Sequence, residues 1–126
     1  MGITVKRLIF KEHRKSEKFV ELDFLIDSGA VYSLVPGKIL DELEIETYRT
    51  IDFSLADGTK ITRRVASGYF EYTSGYFEYN GEGGPAPVMY GEPGDEPLLG
   101  VTALESLGLV LNPFTRELHP MRMLMV

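Results

Sequence analysis

Hydrophobic positions fall into short runs separated by charged or Gly- and Pro-bearing stretches. Residues 3–10 and 18–26 are both rich in β-branched and aromatic residues and read as two strands. The charged stretch Lys11-Glu12-His13-Arg14-Lys15-Ser16-Glu17 between them reads as a solvated hairpin connection. After Asp27-Ser28-Gly29-Ala30, residues 31–35 form a short apolar strand. Pro36 then opens a helix over 37–43, with Ile39, Leu40 and Leu43 on one face. Apolar and polar residues alternate over 51–55, and Ala56-Asp57-Gly58-Thr59 follows. Asp-Gly between alternating runs signals a hairpin, because Gly tolerates the positive φ of a tight turn. The return strand is predicted over 60–65, so the hairpin spans about residues 50–65.

The chain then repeats itself. Ser67-Gly68-Tyr69-Phe70-Glu71-Tyr72 recurs as Ser74-Gly75-Tyr76-Phe77-Glu78-Tyr79, an offset of seven residues. Strand side chains alternate with period two, so one straight strand would turn the two copies to opposite faces. A hairpin or bulge at Thr73-Ser74-Gly75 is expected, with two segments competing for one place in a sheet. Residues 80–87 read as a Gly/Pro-rich loop, 88–90 as a strand and 91–97 as a second turn-rich loop. Leu98-Leu99-Gly100 leads into a helix over 102–107, with Thr102 and Glu105 as a capping box and Gly108 as the stop. Residues 109–111 and Glu117-Leu118 flank Asn112-Pro113-Phe114-Thr115-Arg116, a hairpin signature, and residues 121–126 form an apolar tail. The sum is about eight short strands with one or two helices. That is a mainly β fold, a small, mostly antiparallel barrel or sandwich.

Composition narrows the chemistry. At 126 residues the chain reads as one domain, long enough to bury roughly two-thirds of its unfolded surface. Thirteen Lys and Arg against 19 Asp and Glu give a net charge of −6, which argues against a nucleic-acid partner. No apolar run approaches the roughly 20 residues of a membrane span, so no membrane partner is expected. Nor does an apolar signal segment follow the charges near Met1, and a cytoplasmic address is expected. With no Cys and only His13 and His119, there is little material for a metal site or a Ser-His-Asp triad, and neither metal nor cofactor is expected.

The strongest candidate for chemistry is Phe24-Leu25-Ile26-Asp27-Ser28-Gly29-Ala30. A carboxylate leaves an apolar strand and enters a loop in which Gly lets the backbone double back. Ser28 can bond across that loop or across a dimer axis, and Ser33 reads either as a bonding partner near the loop or as a strand serine satisfied by backbone. Asp95-Glu96 reads as a pair of solvated loop carboxylates rather than a cation site. The five methionines read as fillers of core or interface gaps.

Together with Leu98-Leu99-Gly100, the following helix and Gly108, the Asp-Ser-Gly-Ala loop resembles the retroviral-type (retropepsin-like) aspartic proteases. The likeness is greatest to the short prokaryotic single-domain form, whose Leu-Leu-Gly-Val-Thr-x-Leu-Glu-x-Leu-Gly resembles residues 98–108, and it covers roughly residues 3–120. The resemblance implies a small closed antiparallel β barrel and a single protease domain over 1–126. It makes Asp27 catalytic, with Ser28, Gly29 and Ala30 supporting its loop. It makes the hairpin with Ala56, Asp57 and Gly58 at its tip a flap over bound peptide, and it threads Leu98, Leu99 and Gly100 through the catalytic loop.

Because the chain carries one Asp-Ser-Gly, the resemblance further implies a homodimer, in which two Asp27 carboxylates activate water to hydrolyse a peptide or protein substrate. The tail 121–126 would add contact at the dimer interface. Three departures stand out. Ser28 replaces the commoner Thr, Val31 stands where retroviral enzymes carry an Asp that binds substrate backbone, and the seven-residue duplication has no counterpart expected in the family. The alternatives are a catalytically inactive binding or dimerisation module on the same fold, and an unrelated β-barrel ligand binder in which Asp-Ser-Gly is only a turn.

Overall fold

The apolar runs at the start of the chain become an antiparallel pair. In the computed structural model, which describes residues 3–72 and 83–120, β1 (Val5–Lys11) faces β2 (Phe19–Ile26), with Val5 opposite Leu25 and Lys11 opposite Phe19. There follow β3 (Ser33–Pro36), α1 (Gly37–Glu42), β4 (Arg49–Ser54), β5 (Lys60–Tyr72) and β6 (Gly84–Gly91). The chain continues through β7 (Leu98–Leu99), α2 (Val101–Ser106), β8 (Leu109–Leu111) and β9 (Leu118–Pro120). The protein is mainly β with two short helices, and β8 and β9 form the C-terminal hairpin.

Seven strands share one sheet in the order β1-β2-β7-β3-β6-β5-β4. Because β1 also pairs with β5, the hydrogen-bonded order returns on itself, with β4 appended to β5. The antiparallel expectation needs correcting at two places, since β2 runs parallel to β7 and β3 parallel to β6. Both parallel partners are separated by long stretches of chain, as a parallel neighbour requires. The core sits inside this ring. Phe70 meets Phe10 at 5.1 Å and Phe24 at 5.4 Å between ring centroids, in tilted and edge-on contacts. Leu8, Val35, Leu40, Val88, Leu99 and Leu109 belong to the same core, all buried.

Several expected boundaries move. The return strand does not stop at Val65: β5 runs on through the first copy of the repeat, because Tyr69–Tyr72 find a second partner in β1. Residues 84–87 are strand, not loop. Their prolines, Pro85 and Pro87, are tolerated because β3 pairs with β6 only from Val88 onward, so one side of residues 84–87 has no strand neighbour among the described residues. The apolar segment at 31–35 enters the sheet only at Ser33, leaving Val31 and Tyr32 in the preceding loop. Lys11 is no solvated tip residue either. It ends β1 buried, with its ammonium 2.8 Å from Glu71 of β5. The proposed bulge at Thr73-Ser74-Gly75, the second repeat copy and the tail 121–126 lie outside the described residues.

Phe24 is fully buried against Phe70, so truncation removes a ring from the centre of the core. Phe24→Ala is expected to cost about 3–5 kcal/mol in urea unfolding. A loss under about 1 kcal/mol would mean that the three-ring packing does not hold the ring of strands together.

Candidate active site

The Asp27 loop is built by a strand that belongs elsewhere in the sequence. β2 and β3 flank the loop 27–32, yet they do not pair with each other. β7 lies between them, with Leu25 opposite Leu98 and Ile26 opposite Leu99 on one side and Leu34 opposite Leu98 on the other. The loop must therefore cross over the end of β7. Backbone hydrogen bonds fix the crossing: Asp27 N–H donates to the Leu99 carbonyl at 2.9 Å, and Val101 N–H donates to the Ala30 carbonyl at 2.7 Å. Gly100 passes directly beneath. A Cβ there would stand 2.6 Å from the Tyr32 carbonyl oxygen and 2.8 Å from that of Ala30. Its φ of −92° suits any residue, so glycine is needed here for room, not for torsion.

The expected capping box at Thr102 and Glu105 is absent, and α2 starts one residue earlier with Gly100 at its N-cap and no side-chain cap. The reason lies in the loop. The first helical N–H groups, which a cap would otherwise satisfy, are taken by the carbonyls of Ala30 and Val31 at 2.7 and 3.3 Å. Ser33 completes the seat. Fully buried, its Oγ accepts from Gly100 N–H at 2.9 Å, so both readings of this residue are met by one bond.

Within the loop, Gly29 N–H donates to Asp27 Oδ1 at 2.9 Å, and Ala30 N–H donates to the Asp27 carbonyl at 3.2 Å. The carboxylate is thus oriented by its own turn, and Gly29 allows the close approach: a Cβ there would meet Oδ1 at 3.3 Å. Asp27, Ser28 and Gly29 are all exposed in the single chain.

The β4–β5 hairpin rises beside this loop, and Tyr32 connects the two. Arg49 Nη2 donates to the Tyr32 hydroxyl at 3.2 Å, and the Tyr32 ring stands edge-on to Phe53 at 6.5 Å. Neither partnership was read from the sequence. The usable signal was the alternation through Ile51 and Phe53, which puts Arg49, Ile51 and Phe53 on one face of β4. At the tip, Leu55 N–H bonds the Thr59 carbonyl at 2.7 Å and Gly58 takes a φ of 88°, a conformation suited to glycine. Ala56, Asp57 and Gly58 are exposed, and among the described residues no hydrogen bond ties them to residues 27–30. Val31, on the loop, and Leu55, near the tip, both expose apolar side chains, at 60% and 45%.

No family model matches this chain, and no curated protein sequence matches it. The site therefore stands on its own geometry.

Other polar groups have structural work. The Tyr90 hydroxyl donates to Asp41 Oδ2 at 2.6 Å while Arg64 lies 3.8 Å over its ring, joining α1 to β5 and β6. The bond to Asp41 chiefly raises the phenol above its ordinary pKa and keeps it protonated. These residues line a cavity of about 700 Å³ with Ile45, Glu46 and Thr47, to which the Asp27 loop contributes nothing. Asp95 caps its own turn through Glu92 N–H at 2.8 Å and faces Arg63 at 3.8 Å. Among the described residues no group of His, Asp or Glu is gathered to hold a metal, and no helix is long and apolar enough to cross a membrane.

Gly100→Ala pushes a methyl group into the carbonyl oxygens of Tyr32 and Ala30, the second of which carries a bond of the crossing. It is expected to cost about 1–3 kcal/mol and to shift the amide resonances of residues 27–32. A silent substitution would show that the crossing has slack. Asp57 gives a pH test at the hairpin tip. Hydrogen bonding from the Thr59 side chain, and then from its backbone N–H at 2.8 Å, holds this carboxyl below its ordinary value. The bond to the ionised form is thus complete above the usual carboxylate pKa of about 3.9 and is lost as pH falls through the lower, folded value. In an NMR titration the Thr59 amide is expected to move with that depressed midpoint, and Asp57→Asn to abolish the movement. A midpoint at or above the usual carboxylate pKa would remove the bond from the account.

Proposed function

We propose that this chain is one half of an aspartic endopeptidase, a homodimer with a closed retropepsin-like barrel in each protomer, acting on peptides or proteins in the cytoplasm. The observation that carries the reading is the exposed Asp27 carboxylate, oriented by Gly29 on a loop that β7 and Gly100 hold from beneath. A single carboxylate on a rigid, exposed turn is half of an acid–base pair, and two-fold symmetry supplies the other half. The flank of the loop suits such an axis. Ile26 N–H bonds the Thr4 carbonyl at 2.8 Å, and beside Thr4 both Ile3 and Val5 expose their side chains, Ile3 at 73%. The Thr4 hydroxyl donates to the Arg116 carbonyl at 2.8 Å, bringing the β8–β9 connection, with Phe114 93% exposed, to the same flank.

The chemistry follows from the pair. Two carboxylates about 3 Å apart share one proton, because both cannot ionise at that separation. The ionised Asp27 takes a proton from water, whose oxygen attacks the scissile carbonyl carbon, and the protonated Asp27 of the other protomer gives its proton to the carbonyl oxygen. Collapse of the tetrahedral intermediate breaks the C–N bond as the leaving amine takes the proton that the first Asp27 drew from water, and a hydroxyl of the intermediate returns a proton to the other Asp27. No acyl-enzyme forms, in keeping with a chain that lacks Cys. Over the site, the β4–β5 hairpin would cover the peptide, with Tyr32 holding its base to the loop.

A mixed peptide library incubated between pH 3 and 8 tests the reading. The wild type is expected to cleave, and Asp27→Asn to lose about 10²–10⁴-fold in rate with its fold retained. Equal cleavage by both proteins, or none by the wild type at any pH, would overturn the assignment and favour a binding module on the same fold.

A further inference from the structure

The repeated hexapeptide is left unexplained by the proposed chemistry, and the structure shows what its first copy does. Each residue from Gly68 to Tyr72 meets a fitted partner. Gly68 lies against the Phe10 ring so closely that a Cβ would stand 2.3 Å from it. Phe70 fills the gap between Phe10 and Phe24 and is fully buried. Glu71 pairs with Lys11 at 2.8 Å, Tyr69 lies under the same ammonium at 5.9 Å, and the Tyr72 hydroxyl donates to the Leu107 carbonyl. Nothing in this slot distinguishes Gly-Tyr-Phe-Glu-Tyr at 68–72 from Gly-Tyr-Phe-Glu-Tyr at 75–79. Residues 73–82 lie outside the described residues and enter here through their sequence alone.

We propose that the slot between β1 and β6 accepts either copy, so that the chain has two registers differing by seven residues. Two observations beyond the repeat support this. The first is the turn. In the register shown, Phe70 stands opposite Gly84, and ten residues, 73–82, connect Tyr72 to Gly83. With Phe77 opposite Gly84 instead, Glu78 falls opposite Gly83 and Tyr79 opposite Glu82. Asn80-Gly81 is then left as a two-residue connection, the sequence most strongly suited to a type I′ hairpin.

The second observation is the upstream limit. Val65 and Ala66 are fully buried, and sliding all of β5 would put Tyr72 and Thr73 into their places. The exchange therefore stops at Ala66. Residues 49–66 keep their pairing, the second copy enters the slot, and residues 67–73 leave as a loop between Ala66 and Ser74. Loop closure depends on length only logarithmically, so trading one ten-residue connection for seven-residue and two-residue ones costs little either way. The identical slot contacts cancel. What differs is where along the chain the spare residues fall: after Tyr72, or between Ala66 and Ser74.

Truncating the buried ring in each copy separates the outcomes. Phe70→Ala and Phe77→Ala are each expected to lower the folding equilibrium constant less than about tenfold, because the other copy supplies the ring. The double variant is expected to lose about a hundredfold to a few thousandfold. In Phe70→Ala, amide-exchange protection is expected to pass from residues 68–72 to 75–79 while residues 8–11 remain protected. Phe70→Ala as damaging as the double variant, with Phe77→Ala silent, would overturn the proposal. A stability of Phe70→Ala that rises with protein concentration more steeply than that of the wild type would also overturn it, by showing that the second copy enters the slot of a neighbouring chain. If the double variant does not fold, the two single variants still decide. None of these readouts depends on peptidase activity.

Discussion

Two strands that leave a gap one strand wide, filled by a third from late in the chain, set most of what surrounds Asp27. β7 occupies that gap with only two residues, Leu98 and Leu99, and the loop from β2 to β3 must pass over its end. The rest follows from crowding and hydrogen bonding. Gly100 has no space for a methyl group, and Ser33 must face inward to meet its N–H. Helix α2 can begin without a side-chain cap because the loop's own carbonyls receive its first donors. The carboxylate at the top is a surface group, but the backbone that presents it is anchored in the sheet.

That anchoring separates rigidity from stability. The exposed ion pairs of Arg7 with Glu21 and Asp23 contribute little, since solvent screens them. The buried ring cluster and the continuous pairing of β5 with β1, β4 and β6 carry the fold. The β4–β5 arm belongs to the sheet only through β5, so its attachment to the loop rests on Tyr32, Arg49 and Phe53. Those are surface contacts on a two-stranded extension, the kind of element that moves most readily while its base stays fixed.

Much of this was legible in local sequence. The apolar run into Asp27-Ser28-Gly29, the Asp-Gly tip and Leu98-Leu99-Gly100 all mark features that the structure contains, and Gly108 ends α2 with a φ of 70°. What stayed hidden depended on distant partners. Residues 84–87 look like a loop until β5 is placed beside them, and Thr102 looks like a cap until the Ala30 carbonyl takes its place. Period-two reasoning warned that the two repeat copies would not share a straight strand, but only the fit of Phe70 between two phenylalanines identifies what the first copy does. The Tyr32 contacts were invisible because the loop and the arm meet only in three dimensions.

The bond from Gly100 N–H to Ser33 spans 67 residues of chain. On a ribosome adding about 5–20 residues per second, Ser33 is made roughly 3 to 13 seconds before its partner exists. Throughout that interval the Asp27 turn has no floor: β7 is unmade, and the first two donors of α2 have yet to reach the loop's carbonyls. Any chemistry that needs the carboxylate held in place would have to wait until β7 and α2 fold back beneath the loop.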